Sequence, residues 1–497
     1  MRSVSWWKLA TTWIVALTLS LGYGLTLAPG LTWANNGSDS GDLLTAVATR
    51  GIPHPTGYPT YLLLARTYLL LPLGDAARQQ TVFSAVCAVF AALIVAVIVR
   101  MLGVGLGWRS AVAGAIAALW LGCSPLFWSQ AVIVEIYSLH ALCCAALWWF
   151  AARGMRHELT GSGVWGWADR SAGVVAGLAL GNHLTAAATV SAMVATVVIQ
   201  RPRAGRLRHM GATLLWIGVG LLVYLYLPLG ANAITPASWG DPRTLAGLRW
   251  LVTGEVYHRL AFHVPADQIG ALLQTWASLL IAQIGLLGVG LALWGLVSGA
   301  ARLGVILVAM LLTTLVISVF TLGYASNDAH VYLIAVYLIV SIWIGLGISD
   351  LFERVRSRRG WATMLAILLI TTLALRVPAT VAQVDASHDY RAMQFAAQVL
   401  GQAPPRALIL TNDDRATFAL WYDHIVRGVR ADVAVVVVPM LRFDWYRANV
   451  RLTYPTLKLS PELRSGWDAA LVTGNSDRPI CWTALDALSL LRCQVAN

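Results

Sequence analysis

Apolar residues in this chain fall in long runs separated by short polar segments. The runs are Trp13–Leu27, Thr81–Val99, Ala111–Phe127, Leu139–Ala152, Ala172–Val198, Gly211–Leu229, Ile269–Val297, Leu303–Leu322, Val331–Ile348 and Trp361–Leu375. Runs of about 20 apolar residues match the thickness of a bilayer's hydrocarbon core and predict membrane-spanning helices. Ala172–Val198 is too long for one span and is interrupted by Asn182-His183. It reads as two short helices meeting at a polar turn, a re-entrant hairpin that must be buried in protein. The pattern therefore predicts a polytopic α-helical membrane protein of about eleven transmembrane helices.

The pattern changes after Arg376-Val377-Pro378, where the proline is expected to end the last span. Beyond it, Arg391–Leu400, Ala416–Val426 and Trp445–Val450 read as helices, and Ala407–Thr411 and Val433–Val438 as short buried strands. The expected division is a membrane domain over residues 1–379 and a small α/β domain over 380–497. No glycine-rich phosphate fingerprint follows either strand, which argues against a nucleotide site there.

Composition sharpens this. The 497 residues are 58% hydrophobic and 12% charged, with a mean hydropathy of +0.68, a balance foreign to soluble domains. The net charge of +12 does not point to nucleic acid, because the basic residues flank the spans. Arg2 and Lys8 precede the first. Arg100 and Arg109, then Arg153, Arg156 and Arg170, then Arg201, Arg203, Arg206 and Arg208, and finally Arg354, Arg356, Arg358 and Arg359 flank later ones. Placing all of these in the cytoplasm satisfies the positive-inside rule. The N-terminus is then cytoplasmic, and the first polar loop, the loop Ala231–Gln268 and the tail face outward from a plasma membrane. Thr32-Trp33-Ala34 resembles a signal-peptide cleavage site, but the apolar region before it is longer than most such segments. Cys87, Cys123, Cys143 and Cys144 lie in or beside spans and are expected to pack as small apolar groups. Cys481 and Cys493 lie in the exported tail, where a disulfide is permitted but not established.

Candidate chemistry gathers on the outward side. Asp39 and Asp42 follow the first span, with His54 and Tyr58 close behind. Ionisable groups at the edge of a bilayer are costly to desolvate and usually serve a function. Ser38 or Asp39 could instead be a helix N-cap, leaving one acid purely structural. The segment Tyr58–Leu71 reads as an amphipathic helix lying at the interface, or a buried one. Glu135, Tyr137 and His140 stand at the outward start of a span, and His183 at the turn of the hairpin. Asp241, Arg243, Arg249, Glu255 and Arg259 share one outward loop. Outward arginines run against the topology bias and suggest an anionic phosphate; ion pairing with Asp241 and Glu255 is the competing explanation. Asn327-Asp328-Ala329-His330 forms another outward turn. There is no Cys₂His₂ or His-x-x-x-His spacing, so no metal or other cofactor is expected. A divalent ion on Asp39, Asp42 and a distant histidine stays open.

Several of these segments carry a family resemblance. Asp39-Ser40-Gly41-Asp42-Leu43 through Gly51-Ile52-Pro53-His54-Pro55-Thr56-Gly57-Tyr58-Pro59-Thr60-Tyr61 resembles the start of a bacterial family of protein O-mannosyltransferase-like membrane proteins. Trp128-Ser129-Gln130-Ala131, Glu135-Ile136-Tyr137-Ser138-Leu139 and Gly177 through Thr185 are also similar to family segments. So are Leu227-Pro228-Leu229 with Asn232, Trp239 through Thr244, Asp389-Tyr390-Arg391-Ala392 and Leu420-Trp421-Tyr422. Asp42 stands where the family pattern leads one to expect a glutamate.

The resemblance implies a GT-C glycosyltransferase, which uses a polyprenyl-phosphate sugar rather than a nucleotide sugar. It places a catalytic acid on Asp39, with Asp42 second, and implies inversion at the anomeric carbon. His183, Arg243 and Arg259 become candidates for stabilising the leaving phosphate, and His54, Tyr58, Glu135, Tyr137 and Asp241 for binding substrate. The expected activity is transfer of a hexose, mannose first, to an extracytoplasmic acceptor hydroxyl on protein Ser/Thr or on a glycan. The alternative is a transporter or flippase of lipid-linked sugars, which should show internal repeats with broken helices in corresponding halves. No repeat is visible here.

Overall fold

A computed structural model describes residues 6–494 except 106, 161–165, 201–202, 232–234, 263–265, 359, 460–465 and 486–488. Arg2, Arg201, Asn232 and Arg359 lie outside the described residues. The membrane body begins with α1 (Trp6–Thr26), followed by the short loop helices α2 (Ser40–Thr49) and α3 (Pro59–Tyr68). Next come α4 (Ala76–Leu102), α5 (Trp108–Gly122), α6 (Pro125–Ala131), α7 (Tyr137–Thr160), α8 (Gly166–Leu180) and α9 (Ala186–Ile199). α10 (Arg206–Leu221) runs through a 3₁₀ turn into α11 (Tyr226–Gly230), and the outward loop holds α12 (Leu245–Val252). α13 (Ile269–Leu322), α14 (Ile334–Arg354) and α15 (Trp361–Val384) complete the body.

Six helical stretches among the described residues are long and apolar enough to cross a membrane, seven if α5 and α6, bent by 73° at their junction, count as one span. The expected eleven is not reached by length and apolarity. α8 and α9, with 15 and 14 residues, meet at a turn over Gly181–Thr185, as the hairpin reading requires. α13 is not one straight helix but doubles back. Trp276 Nε1 donates to Ser318 Oγ at 3.0 Å across 42 residues, whereas a straight helix would hold residues that far apart at about 63 Å. The runs Ile269–Val297 and Leu303–Leu322 are thus two antiparallel passes.

Close approach of helices rests on small residues, as is common in membranes. A Cβ on Gly177 of α8 would lie 2.6 Å from Gly220 Cα of α10. α13 also breaks at Gly285, where φ is 71°. The Arg376 guanidinium donates to the Ala282 and Gln283 carbonyls at 3.0 and 2.9 Å, pairing groups that a broken helix leaves open. Arg376 and Pro378 therefore do not end the span: α15 continues to Val384 with Pro378 inside it.

Contacts sort the body into two ends. At one, Arg100 donates to Thr12, Arg302 to the Leu102 carbonyl, and Trp294 to Asp350. At the other, Trp128 donates to Thr26, Ala28 N–H to the Val132 carbonyl, and Ala386 N–H to the Thr26 carbonyl. The first loop, the α6–α7 junction and the tail meet at this second end.

The tail contains α16 (Arg391–Gln402), β1 (Leu408–Thr411), α17 (Asp414–Trp421), β2 (Ala434–Val437), α18 (Asp444–Thr453), α19 (Trp467–Gly474), β3 (Ile480–Thr483) and β4 (Leu491–Gln494). The sheet order is β2-β1-β3-β4, with β1 parallel to β2 and β3, and β3 antiparallel to β4. β1 and β2 are buried at every position, which is why they read as continuous apolar runs. β3 and β4 were not expected from the sequence pattern. Cys481 and Cys493 face each other across that last pair and form a disulfide.

Candidate active site

The first loop is fastened before it reaches its acids. Asp389, just beyond α15, accepts from Thr32 Oγ1 at 2.6 Å and from the Trp33 and Ala34 N–H groups at 3.0 and 2.6 Å. Asp39 then occupies the N-cap position of α2, but its carboxylate makes no capping hydrogen bond. One oxygen takes a long bond of 3.3 Å from Ser38 Oγ, and the other lies 3.7 Å from His54 Nε2. α2 comes to rest against α17 at Gly41, where a Cβ would meet the Phe418 carbonyl oxygen at 2.1 Å.

Asp42 plays a different part. It is wholly buried and accepts three hydrogen bonds. These come from His54 N–H at 2.8 Å, His54 Nδ1 at 2.7 Å and Trp239 Nε1 at 3.0 Å. His54 Nε2 meets the Tyr58 hydroxyl at 3.0 Å, and that hydroxyl also lies 3.1 Å from the Pro55 carbonyl.

These groups border a cavity of about 860 Å³ at the second end of the body. The first loop contributes Asp39, His54 and Tyr58, and the α7 and hairpin region contributes Tyr137, His183 and Thr185. The turn after α13 adds Tyr324 and Asp328, and Tyr332 follows. Toward the membrane the wall is apolar, with Leu184, Ala187, Val316, Ile317 and Phe320. The tail closes another side through Asp414, Arg415 and Phe418 of α17. Aromatic rings surround His183: Tyr137, Tyr332 and Tyr58 lie with centroids at 5.6, 5.3 and 6.4 Å.

The electrostatics follow from burial and crowding. Burial raises Asp39 above the usual carboxylate range; the His54 charge opposes this, while Asp42 and Asp328 add to it. Burial and Asp39 likewise raise Glu135, and burial and Asp39 bring Asp414 to about 6. Burial works against protonation of His54, but Asp39 and Asp42 outweigh it and hold the ring at about 9.

The structure brings together Asp39, His54, Tyr58, Tyr137 and His183 on one cavity wall. Asp42 and Glu135 are buried behind it. Arg243 and Arg259 do not line the cavity. Arg243 is exposed and paired with Asp241 at 2.6 Å, and Arg249 lies 3.6 Å from Glu255. Ion pairing on a solvated loop thus accounts for most of that cluster. α3, in the Tyr58–Leu71 segment, buries Pro59, Thr60, Tyr61, Leu62 and Ala65 and exposes Leu63 and Leu64. Sequence reading missed Asp414 and Arg415, which lie just before the tail helix it placed at Ala416–Val426 and were given no role. Asp413 caps α17 by accepting from the Arg415 and Ala416 N–H groups, so the Asn-Asp-Asp-Arg run marked a helix start on the sequence without showing where it points. Among the described residues, no group of three or more His, Cys, Asp or Glu side chains is arranged to hold a metal.

Residues 39–205 match the family model described as protein O-mannosyl-transferase TMEM260 N-terminal domain, and residues 392–467 match TMEM260-associated domain 2. The chain is 25% identical over 437 residues to the protein O-mannosyl-transferase TMEM260 of Mus musculus, covering 82% of this chain and 60% of that protein. It is 22% identical over 529 residues to the corresponding Dictyostelium discoideum protein, covering 94% of this chain and 62% of that one. The chain therefore spans about three fifths of the length of these relatives. Among solved structures, it resembles ArnT from Cupriavidus metallidurans in the apo state, with a TM-score of 0.60 and 13% identity over 95% of this chain and 93% of ArnT. It also resembles the Archaeoglobus fulgidus oligosaccharyltransferase tethered to an acceptor peptide, with a TM-score of 0.52 and 11% identity over 88% of this chain and 64% of that one. ArnT bound to undecaprenyl phosphate gives a TM-score of 0.54 at 12% identity over 88% of this chain and 91% of ArnT. In two segments this chain is thus similar to the TMEM260 protein O-mannosyl-transferases, and its fold is similar to that of ArnT.

Proposed function

We propose that this chain is an integral-membrane glycosyltransferase that moves a hexose, mannose first among candidates, from a polyprenyl-phosphate donor to an acceptor hydroxyl on the outward side. The observation that carries the reading is Asp39: an acid at a helix start that does no capping and instead lines a large aromatic cavity. The apolar wall of that cavity suits a lipid chain, and the aromatic wall suits the faces of a sugar ring. The relatives' names indicate mannose and protein acceptors, and one structural relative was solved with undecaprenyl phosphate.

In this reading Asp39 accepts the proton of the acceptor hydroxyl as its oxygen bonds to C1. The bond from C1 to the phosphate oxygen breaks, and the lipid phosphate leaves with the electron pair, giving inversion in one step. A positioned base of this kind contributes about 10²–10⁴-fold. Arg415, which lines the cavity 3.6 Å from Asp413, replaces Arg243 and Arg259 as the cation placed to meet the leaving phosphate, since preorganised charge stabilises the transition state. The test is transfer of radiolabelled mannose from polyprenyl-phosphate mannose by the purified protein. Wild type is expected to form product, and Asp39→Asn to lose it by at least about 100-fold while still binding donor. Wild-type turnover in the mutant would remove Asp39 from the mechanism.

A further inference from the structure

The contacts around His54 accommodate a doubly protonated ring. Nδ1 lies 2.7 Å from the Asp42 carboxylate, which only accepts when ionised, so Nδ1 carries a proton. The Pro55 carbonyl can only accept, and the Tyr58 hydroxyl, 3.1 Å away, is placed to give it its one proton. The hydroxyl oxygen is then an acceptor toward His54 Nε2 at 3.0 Å, and Nε2 carries a proton as well. In that arrangement both ring nitrogens are protonated, and His54 is a cation 3.7 Å from the Asp39 carboxylate that cannot take a proton from an acceptor.

We infer that His54 is a positioning residue that keeps Asp39 ionised, and that buried Asp42, braced by Trp239, holds the imidazolium in place. This rests on the reading of Asp39 as proton acceptor. The need for such a cation is visible in the surroundings. Asp42 from α2, Asp328 from the turn after α13, Glu135 from the α6–α7 junction and Asp414 from α17 all act on Asp39 or share its field. Tyr58 and Tyr257 complete the circle, with His183 beyond Tyr58. Four neighbouring acids disfavour a fifth negative charge, and the imidazolium offsets them. The shorter side chain at position 42 then has a purpose: its two oxygens accept three hydrogen bonds and do not line the cavity.

Two measurements on the full-length chain in detergent test this. The first is the ¹⁵N spectrum of labelled histidine, with His54 assigned by His54→Gln. Both ring nitrogens are expected protonated at pH 7.5, and a neutral ring at that pH overturns the inference whether or not the protein transfers sugar. The second is the pH dependence of kcat/KM for transfer. His54→Gln is expected to move the acid limb up by at least about one pH unit and to retain a plateau at higher pH. Trp239→Phe, which removes one of Asp42's three donors, should move it less and in the same direction, and serves if the stronger variant fails to fold. An unmoved acid limb in an active enzyme overturns the inference while leaving the glycosyltransferase reading intact. Absence of transfer in wild type counts against that reading instead, and the spectrum alone then decides the state of His54.

Discussion

Two carboxylates three positions apart look equivalent in the sequence, yet the fold assigns them opposite duties. Asp39 faces the cavity with its capping role unused, and Asp42 is enclosed by His54 and Trp239. The acids and His54 were legible because ionisable residues stand out against 58% hydrophobic composition. Their division of labour was not, because Trp239 reaches Asp42 from 197 residues away. The same limit explains the arginines. Arg243 stood out by its side of the membrane, but its neighbour Asp241 claims it. Arg415 lay in an unremarkable helix start until the tail folded over the cavity. We therefore expect Arg415→Gln to lower kcat by about tenfold or more, the order seen when one stabilising donor is lost. Arg243→Gln and Arg259→Gln should keep transfer within about twofold of wild type, as exposed charges usually do. Steady-state kinetics on the three variants checks the contrast.

Elements were easier to read than their contacts. The two strands and three helices expected in the tail fall where the pattern placed them, because buried parallel strands read as unbroken apolar runs. The β3–β4 pair was hidden because it is short and half exposed. Pro378 misled for a physical reason. A proline usually stops a helix by removing one hydrogen bond, but here α15 continues six residues past it. The α2–α17 contact gives the sharpest test at this scale. A methyl on Gly41 would strike the Phe418 backbone, and overpacking of this sort costs about 1–3 kcal/mol. Gly41→Ala should lower the melting temperature in detergent and reduce transfer, because the two helices carry Asp39 and Arg415 on opposite sides of the cavity. Asp389 gives a pH signature. Burial pushes its carboxyl up, but Arg391 and Thr32 hold it at about 2, below the ordinary 3.8. Its contribution to holding the first loop is present above about pH 4 and lost as the pH falls through about 2. Limited proteolysis at the Thr32–Ala34 segment should rise over that window, and in Asp389→Ala at neutral pH.

At the scale of the molecule, hydropathy predicted a membrane body and a tail, and charge predicted which end faces the cytoplasm. The contacts agree on two ends: Lys8, Arg100, Arg302 and Arg354 belong to one, and the cavity to the other. An impermeant maleimide should label Ser387→Cys and Leu73→Cys from outside intact cells, and Arg356→Cys only after permeabilisation. Labelling of Ser387→Cys and Arg356→Cys from the same side would break the topology. The fastening of the first loop by Asp389 also has a consequence in time. Thr32 and its clasp are 357 residues apart in the chain, and the wall bearing Arg415 comes later still. A ribosome delivers the acid early and the parts that seat it last. A nascent chain halted inside the body thus carries Asp39 on an unsecured loop, in a pocket still missing one side, and the proposed transfer requires synthesis to have passed the tail.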